Sequence, residues 1–158
     1  MTGGEVIVVA RLELDIESSL PPQRVIDALI DFSDRRPAIW PGLAREFYEV
    51  YSIGDTTAEV REGSVMPGLK IWAREHYDWS KPGVVSWTVT ESNFCTPGSG
   101  VITEVTPRDG GSRLQITWER TGSNPRGRMI VAMMKLTRGR LIVQSVRSAL
   151  DKLARAEP

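Results

Sequence analysis

Apolar and polar residues alternate along most of this chain, and the period changes only near its end. From Val6 to Glu17 the residues Val8, Ala10, Leu12, Leu14 and Ile16 share one face, with Arg11, Glu13, Asp15 and Glu17 on the other. Such a period of two predicts a half-buried strand. Ser18-Ser19-Leu20-Pro21-Pro22 ends it and opens a short helix, in whose first turn proline is tolerated. Val25, Ile26, Leu29, Ile30 and Phe32 give that helix its apolar side, and Ser33 to Gly42 reads as a loop or a broken second helix. Period two then resumes. It predicts strands over Phe47–Ile53, Thr56–Glu62, Leu69–Trp79, Val84–Ser92, Gly100–Thr106 and Arg113–Thr121. Glu62 to Gly68 is expected to be a longer connection, while Gly54-Asp55 and Lys81-Pro82-Gly83 are short turns. Short connections imply hairpins, and hence a mostly antiparallel sheet.

From Asn124-Pro125 to about Ala156 apolar residues recur at steps of three and four: Met129, Ala132, Leu136, Gly139, Val143, Val146, Leu150 and Leu153. This is the stripe of one helix of about thirty residues, roughly 45 Å long. Asn124 is a suitable cap ahead of Pro125, and Lys152 and Arg155 suit the negative end of the helix dipole. A sheet of seven strands is too wide to stay flat, and only the terminal helix is long enough to cover its concave face. The expected fold is α+β: a curled antiparallel sheet wrapped around a long C-terminal helix, with two short helices after the first strand.

The 158 residues fit one domain, expected to span 1–158 with its core over about 6–153. Net charge is zero, which argues against nucleic acid as a partner for the molecule as a whole. Residues 124–158 nevertheless carry eight Lys/Arg against two Asp/Glu. One account is a solvated helix face docked on an acidic sheet; the other is an anion-attracting rim of Arg126, Arg128, Lys135, Arg138 and Arg140. The lone cysteine, Cys95, excludes an intrachain disulfide, and Met1 to Glu5 lacks the sections of a signal peptide. A cytoplasmic protein without a membrane span is expected.

The strand Ala10-Arg11-Leu12-Glu13-Leu14-Asp15-Ile16, followed by Leu20-Pro21-Pro22-Gln23-Arg24-Val25-Ile26-Asp27-Ala28-Leu29, then Asp31-Phe32, Trp40-Pro41-Gly42 and the closing amphipathic helix, resembles the START-like polyketide cyclase/dehydrase (SRPBCC) superfamily. The resemblance runs from about Val6 to Leu153 and implies the helix-grip fold. It also implies a cavity between helix and sheet that takes lipids, sterols, hormones or polyketides; only some members do chemistry. No catalytic motif of the family is present to transfer, and fold alone names no reaction.

Strand parity selects candidate cavity residues. Ile71, Ala73, Glu75, Tyr77 and Trp79 share one face; Val85, Trp87, Val89 and Glu91 share another, as do Leu114, Ile116, Trp118 and Arg120. If these sets face inward, Glu75, Tyr77, Glu91 and Arg120 form a polar end to an apolar pocket, with the arginine partnering the carboxylates. The alternative is that they meet water at strand ends. Glu75 and Glu91 are the candidates for general acid/base chemistry on an enolisable ketone. Trp40, Trp87 and Trp118 would line a pocket for a flat ligand, or simply pack the core. Met133, Leu136 and Gly139 are the candidate contributions of the terminal helix, Gly139 making room for a tryptophan or a ligand. The apolar residues outside the main stripe, Ile130, Val131, Met133 and Met134, call for a second covering: the loops of Trp40 and Phe94, a cavity mouth, or a homodimer partner. His76 stands alone, so no metal site is expected, and no cofactor is implied. The leading expectation is a binder of a small hydrophobic ligand. The rivals are a polyketide cyclase/dehydrase-like enzyme and a protein-interaction module.

Overall fold

Leucine, isoleucine and alanine on one side of the first strand, and charge on the other, produce the expected element. In the computed structural model, which describes residues 9–156, β1 runs over Val9–Ser18 with Ala10, Leu14 and Ile16 buried. The expected start at Val6, with Val8 on its apolar face, lies outside the described residues. Two short helices follow, α1 (Pro22–Leu29) and α2 (Arg36–Ile39). After a turn of 3-10 helix at Arg45–Phe47 come β2 (Glu49–Ile53), β3 (Thr57–Met66), β4 (Leu69–Asp78), β5 (Val84–Ser92), β6 (Gly100–Arg108) and β7 (Gly111–Thr121). The strands form one sheet in the order β1-β7-β6-β5-β4-β3-β2, every neighbouring pair antiparallel. On a flat sheet β4 and β7 would be roughly 14 Å apart. Glu75 on β4 nevertheless reaches Arg120 on β7 at 3.4 Å, so the sheet is strongly curled.

The stretch Glu62–Gly68, expected as a connection, belongs mostly to β3. Gly63 pairs with Trp72 and Ser64 with Ile71, and only Pro67-Gly68 turns the chain, Gly68 at φ +72°. A run rich in Gly, Ser and Pro reads as loop locally. Cross-strand pairing overrides that preference here, and Gly63 is required by it: a Cβ at this position would lie 2.3 Å from the Ile71 carbonyl oxygen.

The expected single terminal helix is two helices, α3 (Pro125–Leu136) and α4 (Arg140–Ala156). Asn124 caps α3 as expected, its side chain accepting from Gly127 N at 2.8 Å. The break lies at Arg138 and Gly139, with φ of 54° and 71°. Gly139 N donates to Met134 O at 2.9 Å, closing the end of α3 in the left-handed turn that glycine favours. Gly139 also presses on β1: a Cβ there would sit 2.9 Å from a Leu14 methyl. This glycine therefore marks a helix end and not a small residue inside a helix.

The break shifts the apolar stripe. In α3 the buried residues are Gly127, Ile130 and Val131, while Met129, Met133 and Leu136 are exposed. Ile130 packs in a small cluster with Ala73, Val89, Phe94 and Cys95. In α4 the stripe holds, with Val143 and Val146 packed on a core completed by Leu150. That larger core joins Leu14, Ile16, Val25, Leu29, Phe32, Val60, Tyr77, Val85, Val105 and Leu114. Among the described residues, no helix is long and apolar enough to cross a membrane.

Candidate functional site

Strands alternate their side chains, so the inward residues of neighbouring strands stack into rows across the concave face. One row is aromatic. Tyr77 pairs with Trp87, Trp87 with Val101, and Val101 with Trp118. The Tyr77 and Trp87 rings stack at 5.2 Å between centroids. Between this row and α4 lies a cavity of about 330 Å³. Ile142, Ser145 and Val146 close it from α4, a spacing that places three side chains on one helix face. Leu29 of α1, Trp40 and Leu43 close it from the other side. Trp40 is held by its indole N–H, which donates to Ala28 O at 3.3 Å.

Two charged pairs enter this space. Arg36 is 4% exposed and fully engaged. Its Nε meets Glu62 Oε2 at 2.9 Å, Nη1 donates to Leu29 O and Asp31 O at 3.0 Å each, and Nη2 donates to the Tyr77 hydroxyl at 3.1 Å. Tyr77 in turn donates to Glu62 Oε1. Burial opposes the charge on Arg36, but Glu62 and Tyr77 outweigh it and hold the guanidinium firmly protonated. Burial, and next Glu62, push the Tyr77 phenol well above its ordinary value.

The second pair is Glu75 and Arg120, one row further along the sheet, with Arg120 Nη2 at 3.4 Å from Glu75 Oε2. Burial pushes the Glu75 carboxyl up to about 7, with Arg120 opposing the shift and Glu62 adding to it. The folded chain therefore binds this proton more tightly than the unfolded chain does. Stability is expected to fall as pH rises from the ordinary glutamate value of 4.5 to about 7, and to level off above that. Urea unfolding across this interval measures the slope; Glu75→Gln should remove it, and a variant that keeps it would assign the titration to another group.

The structure brings together Trp40, Glu75, Tyr77, Trp87, Trp118 and Arg120 around one cavity, six of the ten residues selected from sequence. It separates the other four. Glu91 is exposed because Arg74 pairs with Glu91 while Glu75 pairs with Val89. Thr90 is thus an extra residue in β5, and this bulge inverts parity beyond it. Glu91 is accordingly withdrawn as a candidate acid/base. Met133 and Leu136, at 45% and 85% exposed, face away because the break before α4 rotates α3 relative to it. Gly139 is buried against Leu12 and Leu14 and is not part of the cavity wall.

Sequence reasoning missed Arg36, Glu62 and Thr103. Glu62 carries a usable signal, since it shares the parity of Ala58 and Val60, but the Gly-Ser-Pro run that follows it reads as a turn. Arg36 sits in an irregular segment where no periodicity applies. Cys95 is buried, which raises its thiol pKa and leaves it a poor nucleophile. Among the described residues, no group of three or more His, Cys, Asp or Glu side chains could hold a metal ion.

The family described as polyketide cyclase/dehydrase and lipid transport matches residues 9–156. The chain belongs to this family. Among solved structures it is similar to TTHA0849 from Thermus thermophilus, at 17% identity and a TM-score of 0.74 over 94% of this chain and 100% of that one. It is also similar to the Zhui aromatase/cyclase from Streptomyces sp. R1128, at 14% identity and a TM-score of 0.71 over 94% and 97% of the two chains. A truncated norcoclaurine synthase from Thalictrum flavum aligns at 12% identity and a TM-score of 0.68, over 99% and 100%. These likenesses establish the START-like helix-grip fold. No curated protein matches the chain.

Proposed function

We propose that the protein binds a small hydrophobic ligand between its sheet and α4. The observation that carries this is the cavity of about 330 Å³, walled by Trp40, Trp87, Trp118, Ile142 and Val146 and entered by the Arg36–Glu62 and Arg120–Glu75 pairs. Its size lies at the lower end of the range for ligand pockets, and flat aromatic walls suit a flat or greasy guest. Family membership supports a ligand-binding or cyclase role. A module that acts only through its outer surface has no use for this hollow.

Native mass spectrometry of freshly purified protein tests the proposal. An added mass of a few hundred daltons that solvent extraction removes is expected; a bare mass that stays bare after incubation with apolar extracts would overturn it. The same spectra report oligomeric state. A homodimer through the exposed Met129, Met133 and Leu136 face of α3 would appear at twice the chain mass.

One observation favours a second reading as an enzyme. Glu75 holds a proton that it can give up near neutral pH inside the cavity, which is what a general acid/base requires. In that case Glu75→Gln would cost turnover by about two orders of magnitude or more, against a modest loss of affinity in a binder.

A further inference from the structure

Arg36 and Arg120 both reach the cavity, yet they are engaged differently. Every nitrogen of the Arg36 guanidinium has a protein partner. Among the described residues Arg120 makes a hydrogen bond through Nη2 alone, to Glu75, and it is long at 3.4 Å. Its side chain is 9% exposed, and among the described residues its Nη1 is a buried side-chain atom with no hydrogen-bond partner, as is Thr103 Oγ1. Buried polar atoms are ordinarily satisfied, and a guanidinium is shaped to give two parallel N–H donors to a carboxylate.

Resting on the ligand-binding proposal, we infer that the ligand is an apolar monocarboxylic acid bound as its anion, its carboxylate on Arg120 Nη1 and its body along the Tyr77–Trp87–Trp118 row. Thr103 pairs with Ile116, four residues from Arg120 along β7, so the two residues lie roughly 13 Å apart along the strands. The ionised group of the ligand belongs with the cation.

Charge balance decides for an anion over a neutral carbonyl. Arg36 and Glu62 cancel. Arg120 and Glu75 cancel only while Glu75 is ionised. Glu75 is faced by Arg120 from β7, Glu62 from β3, Arg36 from α2, Tyr77 on its own strand and Cys95 from the β5–β6 loop. Its carboxyl is already pushed up to about 7, mainly by burial. A carboxylate arriving on Arg120 offsets the stronger of the two cations, Arg120 and Arg36, that favour the ionised form of Glu75, and it adds a further negative charge. Glu75 then takes a proton from solvent, leaving Arg120 and the ligand as the neutral pair. A monoanion thus enters with one proton, and its affinity rises as pH falls.

Isothermal titration of the purified protein with 1-naphthaleneacetic acid and with its primary amide, at about pH 6 and about pH 8.5, tests this, because the acid is ionised at both while free-protein Glu75 passes from mostly protonated to mostly ionised between them. The acid is expected to bind about tenfold tighter or more at the lower pH, and the amide equally at both. Glu75→Gln should make the acid bind tightly at both pH values, and Arg120→Gln should reduce the acid to the level of the amide. Should Arg120→Gln not fold, wild type and Glu75→Gln still decide. Acid and amide binding alike, or acid binding independent of pH in wild type, would overturn this inference and leave the ligand proposal standing. Binding of neither probe would overturn both.

Discussion

Arg36→Met is expected to lower the free energy of unfolding by about 3–5 kcal/mol, the cost of breaking a buried ion pair from one side. Methionine matches the length of the stem but supplies none of the donors. Glu62, whose side chain is 15% exposed, would keep its charge with the Tyr77 hydroxyl but without a cation, and the Leu29 and Asp31 carbonyls would each lose a donor. Phe32, whose ring centroid lies 4.7 Å from the guanidinium carbon, would lose its cation. The pairing of Arg36 with Tyr77 also couples α2 to β4, so the loss should appear as one cooperative shift in the urea midpoint. A double variant, Arg36→Met with Glu62→Met, separates the causes. It leaves no unpaired charge and should recover most of the stability. A single variant as stable as wild type would show the network to be dispensable.

Val146→Trp is expected to weaken binding of a fluorescent apolar probe by about 30-fold or more, equivalent to roughly 2 kcal/mol of lost contact. Val146 stands on the cavity face of α4 together with Ile142 and Ser145, and a tryptophan there would project into the space a ligand needs. The fold should survive, because overpacking costs about 1–3 kcal/mol and the new ring has a void to enter. Leu136→Trp is the matched control. Leu136 is 85% exposed on α3, so the same change of size there should leave probe affinity within about twofold. Equal loss in both variants would place the probe on the outer surface.

The terms that were legible in sequence are those that depend on near neighbours. Alternation of Ala10, Leu12, Leu14 and Ile16 predicted β1, and the parity that put Glu75 with Ala73 and Tyr77 put all three on the buried face. The same parity carried Trp118 and Arg120 to the cavity. It failed at Glu91 because a bulge is a property of two strands together: the extra residue, Thr90, is defined only by what β4 offers opposite it. It failed differently at Gly139. The three-and-four spacing continues straight through Thr137-Arg138-Gly139, and nothing local distinguishes a glycine inside a helix from one that ends it. Contact with Leu12 and Leu14 distinguishes them, from more than a hundred residues away in the chain.

Binary pattern and turn chemistry, both short-range, were therefore sufficient for the order of the strands, the antiparallel sheet and its curl around the C-terminal helical segment, while the resemblance implied the helix-grip fold. Tertiary structure alone decided where the long helix breaks, which face of α3 is wet, and which polar groups share one space. Arg36 and Glu62, twenty-six residues apart, meet at 2.9 Å, and Glu75 and Arg120, forty-five apart, meet at 3.4 Å. The physical reason is that burial and pairing energies depend on where the curled sheet brings distant side chains, and curvature is the sum of many small twists that no single window of residues contains.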